Sequence, residues 1–164
     1  RFAHVDYVAT GGVRAADAEW AERVAAHRAR RPPGWRTHET TDLADALAAA
    51  RPDGCVLVDC LTLWLTSVLD TADAWARVAD GDRAAVVAEV DRATEDLLAA
   101  IDSCIATVVL VSNEVGLGIV ATTASGRLFA DLLGRVNAAV AQACDEVWLL
   151  VAGRALALHG GQRR

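Results

Sequence analysis

Apolar residues follow two rhythms along this chain. Continuous short runs read as strands: Val5 to Ala9, Cys55 to Asp59, Thr107 to Ser112 and Glu146 to Ala152, with a further short strand expected at Ala155 to His159. Two of them, C-V-L-V-D and T-V-V-L-V-S, are apolar at nearly every position, the pattern of a strand buried on both faces of a parallel sheet. Helical spacing fills the intervals. Asp17 opens a stretch that runs to Arg31 and stops at Pro32-Pro33-Gly34; Asp42 opens a second, halted by Pro52-Asp53-Gly54. A third follows Asp59 through about Leu69. Asp70 to Asp82 reads as a polar connection. Arg83 to about Cys104 is amphipathic, with Val86, Val90, Leu97 and Ile101 near one stripe, and Ala124 to Cys144 forms the last helix.

Strands alternating with helices predict a single three-layer α/β domain over residues 1–164, built on a mostly parallel central sheet. Polar residues then cluster where three strands end, at Thr10, Asp59 and Asn113-Glu114. In an open parallel sheet these positions share the edge at which ligands bind. Asp59 has two readings of equal weight at this level: a metal or nucleotide contact, or the cap of the next helix. For any single strand-end residue, facing water is reason enough to be polar.

The length of 164 residues suits one core of ordinary size. A net charge of −6 argues against nucleic acid or an anionic membrane as general partner. Yet Arg28, Arg30, Arg31 and Arg36 lie together, as a local anion site requires. All 16 basic residues are arginines, so the sequence holds no glycine-rich loop ending in Gly-Lys-Ser/Thr. The 4 cysteines, Cys55, Cys60, Cys104 and Cys144, lack metal-ligand spacing and read as reduced, buried thiols of a cytoplasmic protein. The longest apolar run, Cys60 to Leu69, is too short to span a bilayer.

On the first helix Trp20, Val24 and His27 share a face, which turns His27 toward the protein body or a cleft. A histidine near a helix C-terminus is otherwise accounted for by the helix dipole. His38, in a polar turn, and His159, in a Gly/Arg-rich tail, read as solvated.

The ordered motifs carry a resemblance. His27-Arg28-Ala29-Arg30-Arg31-Pro32 followed by Gly34-Trp35-Arg36-Thr37 and Glu39, then Val56 to Trp64, Val111 to Val120, Gly134-Arg135-Val136-Asn137 and Asp145-Glu146-Val147 resemble the bifunctional adenosylcobinamide kinase/adenosylcobinamide-phosphate guanylyltransferase family of vitamin B12 nucleotide-loop assembly. The likeness covers nearly the whole chain; Ala121 departs from it, standing where the family usually has proline. It implies a P-loop NTPase fold of the RecA-like kind. Family members also carry an N-terminal strand, a phosphate loop and a helix that begins much like Arg1-Phe2-Ala3, so the strand and loop are missing here and further residues are expected between Ala3 and His4. A Cα separation of about 3.8 Å between those two, one trans peptide, would count against that expectation.

The resemblance also implies the chemistry. His27 attacks the α-phosphorus of GTP, expels pyrophosphate and becomes guanylylated; adenosylcobinamide phosphate then takes the GMP to give adenosylcobinamide-GDP. Imidazole suits this role because its unperturbed pKa of about 6.5 leaves a free nitrogen near neutral pH. Ala9, Thr10, Gly11, Arg28, Ala29, Arg30, Arg31, Glu39 and Asp59 are the implied nucleotide contacts, with Glu39 accepting from a guanine edge or a ribose hydroxyl. Asp59 is the implied Mg²⁺ ligand. Asn113 and Glu114 are expected to orient a water or the cobinamide, or to order the Gly-rich loop. The kinase half-reaction passes the γ-phosphate of ATP or GTP to the aminopropanol hydroxyl of cobinamide and draws on the phosphate-loop lysine. A homo-oligomer, a trimer, is implied as well, with Trp64 or Trp75 as candidates for its contacts and core packing as the alternative for Trp64. The competing readings are a non-catalytic nucleotide-binding assembly module and a transferase that lacks kinase activity.

Overall fold

The computed structural model describes residues 2–12 and 17–158. Two compact units emerge, residues 1–67 with 103–113 and residues 68–102 with 114–164.

The first unit is built on a four-stranded, wholly parallel sheet in the order β2-β1-β3-β4, formed by β1 (His4–Ala9), β2 (Arg36–Glu39), β3 (Gly54–Asp59) and β4 (Thr107–Val111). Parallel neighbours need crossovers, and helices supply them. Helix α1 (Ala18–Ala29) lies between β1 and β2 in sequence, and α2 (Leu43–Ala48) between β2 and β3. Helix α3 (Leu61–Thr71) follows β3 directly. Both caps expected from the sequence form: Asp17 accepts from the Trp20 backbone at 2.9 Å and Asp42 from that of Asp45 at 3.0 Å. The core gathers Val8, Val56 and Val58 from the two central strands with Leu43, Leu47, Leu61 and Leu65. Trp64 is buried too, as the packing alternative for it required.

The second unit holds α4 (Ala74–Ala79), α5 (Arg83–Ser103), α6 (Ala124–Ala143) and an antiparallel hairpin of β5 (Val147–Val151) and β6 (Arg154–Leu158). Val86, Val90 and Leu97 are buried along the stripe read from α5, and Leu128, Leu132, Leu133, Val136 and Val140 along α6. Arg83 to Asp131 at 2.9 Å and Arg135 to Asp91 at 2.7 Å tie these two helices.

Five expectations need correction. Residues Arg36–Glu39 form an edge strand rather than a turn, because Thr37 and Glu39 sit in register beside Tyr7 and Ala9. His38 therefore is not simply solvated: its Nε2 lies 2.7 Å from Asp6 Oδ1. The interval Asp70 to Asp82 contains α4, a brief helix in a polar interval without a proline stop. β4 is not buried on both faces; at the sheet edge Val109 and Val111 remain 41% and 38% exposed. Of the thiols, Cys55 and Cys60 are buried, whereas Cys104 and Cys144 are half-buried; all are free. His159 lies outside the described residues. No helix among the described residues is long and apolar enough to cross a membrane.

Candidate active site

Parallel pairing aligns the ends of β1 and β3, with Ala9 opposite Asp59. Beyond that rung the chain is fastened by a side chain. Thr10 Oγ1 donates to the Cys60 carbonyl at 2.7 Å and accepts from its N–H at 2.8 Å, while Thr10 N donates to the Asp59 carbonyl at 3.2 Å. Thr10 and Asp59, both read as strand-end residues, thus share one edge. Gly11 follows, where an added Cβ would stand 2.7 Å from the Trp20 ring, so the turn admits α1 only because the side chain is missing.

Helix α1 carries His27 in its last turn, exposed, with Nδ1 3.8 Å from Asp59 Oδ2. Arg30 closes the helix as its C-cap, and Pro32-Pro33 prevents continuation. The carbonyls of His27, Arg28 and Pro32 accept from Arg30, Arg31 and Trp35 in turn, at 3.3, 3.1 and 3.0 Å, which folds the basic run back toward β2. Arg28 pairs with Glu39 at the end of β2. Arg31 lays its guanidinium 3.7 Å from the centre of the Tyr7 ring, donates to Thr37 Oγ1 at 3.1 Å, and leaves its buried Nε without a hydrogen-bond partner. Tyr7 also stacks on Trp35, centroids 6.3 Å apart, and its hydroxyl donates to Asp59 Oδ2. Burial, and then the hydrogen bond to Asp59, push the Tyr7 phenol up to about 12.

Arg28, Arg31, Trp35, Thr37 and Glu39, with the two prolines, line an open cleft of about 510 Å³. Basic groups on one wall and an aromatic shelf beside them suit a phosphorylated ligand with a flat ring. Of the expected contacts, the structure brings together Thr10, His27, Arg28, Arg31, Glu39 and Asp59. Ala9 and Gly11 contribute backbone at the β1 end, and Ala29 and Arg30 project from the exposed end of α1.

Asn113, at the end of β4, donates to Thr62 Oγ1 at 2.7 Å at the start of α3. In the second unit Glu114 accepts from Asn137 at 3.0 Å. No cluster of three or more His, Cys, Asp or Glu side chains forms among the described residues. A lone carboxylate still fits Mg²⁺, which keeps much of its water and takes one or two carboxylates plus substrate phosphates.

Sequence reasoning passed over Tyr7 and Trp35 as site residues. The signal for Tyr7 was present in the alternation: positions 7 and 9 of a strand share a face, and Ala9 was already placed at the site.

A family model described as "Cobinamide kinase / cobinamide phosphate guanyltransferase" matches residues 1–158. The Salmonella typhimurium protein named "Bifunctional adenosylcobalamin biosynthesis protein CobU" is 40% identical over 149 residues, 90% of this chain and 81% of its own length. The Pseudomonas aeruginosa "Bifunctional adenosylcobalamin biosynthesis protein CobP" is 40% identical over 158 residues, 95% of this chain and 83% of the relative. The Escherichia coli CobU is 39% identical over 149 residues, again 90% and 81%.

Proposed function

This chain belongs to the cobinamide kinase / cobinamide phosphate guanyltransferase family, and on that premise we propose that His27 is the residue through which it passes GMP from GTP to adenosylcobinamide phosphate. The enzyme is a bifunctional kinase and guanylyltransferase of adenosylcobalamin biosynthesis. One observation supports the histidine role above all others: the acidic side chain near its ring among the described residues is Asp59, at 3.8 Å, while the basic run Arg28, Arg30 and Arg31 follows it in sequence.

The residues divide the work by charge. Arg28 and Arg31, on the cleft wall, neutralise phosphate oxygens as negative charge builds on the leaving pyrophosphate. Trp35 offers a face for the base. Glu39 accepts from guanine or ribose. Asp59 would hold Mg²⁺, and the ion would supply positive charge to offset that of the phosphates. No Gly-Lys-Ser/Thr loop is part of this sequence, so the residues described bear on the transferase step; phosphorylation of the cobinamide hydroxyl by ATP or GTP calls on that loop. The reading also takes the protein to act in the cytoplasm, in keeping with its free thiols, and as a trimer.

Incubation of the intact protein with α-labelled GTP tests this. Wild-type protein is expected to acquire acid-labile, alkali-stable label, and His27→Ala to acquire none. Label that persists in His27→Ala sinks the assignment of the histidine. A wild-type protein that binds GTP without becoming labelled points instead to a non-catalytic nucleotide-binding module.

A further inference from the structure

An imidazole can be guanylylated on either ring nitrogen, and the structure distinguishes them. Nδ1 is the nitrogen that faces Asp59, at 3.8 Å from Oδ2. That same oxygen receives the Tyr7 hydroxyl. Tyr7 is held in place: it is 6% exposed, covered by the Arg31 guanidinium and stacked on Trp35. Its placement follows from the sheet: Tyr7 pairs with Leu57 and Ala9 with Asp59, so Tyr7 and Asp59 are diagonal neighbours on one face.

Resting on the transferase reading above, we propose that Tyr7 is a positioning residue for guanylyl transfer: its hydroxyl fixes Asp59, the 3.8 Å gap from Asp59 to Nδ1–H of His27 closes to a hydrogen bond when GTP binds, and GMP is joined to Nε2. The lone pair of Nε2 forms the bond to the α-phosphorus of GTP. The bond from that phosphorus to the α,β-bridging oxygen breaks, and its electron pair departs with pyrophosphate. Nδ1 keeps its proton throughout, so the ring becomes a guanylylated imidazolium whose positive charge lies against the Asp59 carboxylate. In the second half a phosphate oxygen of adenosylcobinamide phosphate attacks the same phosphorus, and the N–P electron pair returns to Nε2. Attack through Nδ1 is disfavoured by the same geometry, because the phosphoryl oxygens would have to enter between the ring and a carboxylate of like charge.

Intact protein carrying ¹⁵N-histidine, treated with GTP, reports the linkage through ³¹P–¹⁵N coupling to one ring nitrogen or the other. Tyr7→Phe retains the ring beneath Arg31 and removes only the hydroxyl. The expected results are GMP on Nε2 and, for Tyr7→Phe, a single-turnover guanylylation rate lowered about tenfold with GTP affinity within about twofold. A purely structural role for the tyrosine would not separate rate from affinity. GMP on Nδ1, or Tyr7→Phe reacting at the wild-type rate, overturns this proposal and leaves the transferase reading standing. Absence of GMP on His27 overturns both. Should Tyr7→Phe not fold, the linkage isomer on the wild-type protein decides alone.

Discussion

Thr10 and Cys60 exchange two hydrogen bonds, hydroxyl to carbonyl at 2.7 Å and N–H to hydroxyl at 2.8 Å, and so lock the end of β1 to the residue that follows Asp59. Thr10 is 2% exposed, so neither bond is replaced by water when the hydroxyl goes.

Thr10→Val keeps the volume and strands the Cys60 N–H and carbonyl. It is expected to cost about 3 kcal/mol in urea unfolding, whereas Thr10→Ser, which retains the hydroxyl, costs about 1 kcal/mol or less. Equal losses in the two variants would mean that packing of the methyl group, rather than the paired hydrogen bonds, holds this corner.

At the other end of the β1–β2 pair, Arg36 donates from Nε and Nη2 to the two oxygens of Asp6 at 2.8 Å each, and His38 Nε2 lies 2.7 Å away. Burial pushes the Asp6 carboxyl up; the hydrogen bonds and charges of Arg36 and His38 outweigh it and leave the pKa below the ordinary carboxylate value. A depressed folded-state pKa means stability that is full above the ordinary value, 3.8, and is lost as pH falls through the lower folded value. Asp6→Asn should lower unfolding stability by about 1–3 kcal/mol at neutral pH. The gap between variant and wild type should close in strong acid, and a gap that stays constant down to that range would exclude the ionic contribution.

Tyr7 is the only tyrosine in the chain, so tyrosinate absorbance reports it alone. A phenol raised from 10.0 to about 12 adds stability that is complete below 10.0 and disappears as pH rises toward 12. Near-ultraviolet titration of the folded protein should therefore show a midpoint near 12, against 10.0 in denaturant. Asp59→Asn should bring the folded midpoint down. A folded midpoint at the denatured value would show that the hydroxyl is not held against Asp59.

Glu39 and Arg28 form a partly exposed ion pair, 32% and 55% accessible in their side chains. Such a pair adds little stability, about 0–1 kcal/mol, which leaves specificity as the better measure of it. Glu39→Gln should narrow the preference for GTP over ATP by about tenfold in kcat/KM of the transferase step, with unfolding almost unchanged. Unchanged nucleotide preference would remove Glu39 from base recognition.

Periodicity alone was enough to place β1, β3, β4 and four of the longer helices, because an apolar run or a helical stripe is a local property of the chain. The terminal position of Asp59 was equally local, and so were the proline stop after α1 and the aspartate caps before α1 and α2. His27 emerged from an ordered set of motifs rather than from its own surroundings, since one histidine near a helix end has nothing distinctive about it. Two elements escaped: α4 is brief and lies in a polar interval without the proline stop that marked α2, and β2 is polar at positions that a buried strand would make apolar.

Partnership was decided by the tertiary structure. The bonds from Tyr7 to Asp59, from Asp6 to Arg36 and His38, and from Thr10 to Cys60 all depend on the register of parallel strands. A slip of one residue would turn each side chain to the opposite face. Nothing in the local sequence sets that register; burial of Val8, Val56 and Val58 in one core does. The chain thus specified which groups were available for phosphate chemistry, and the packed sheet selected the oxygen that faces the histidine.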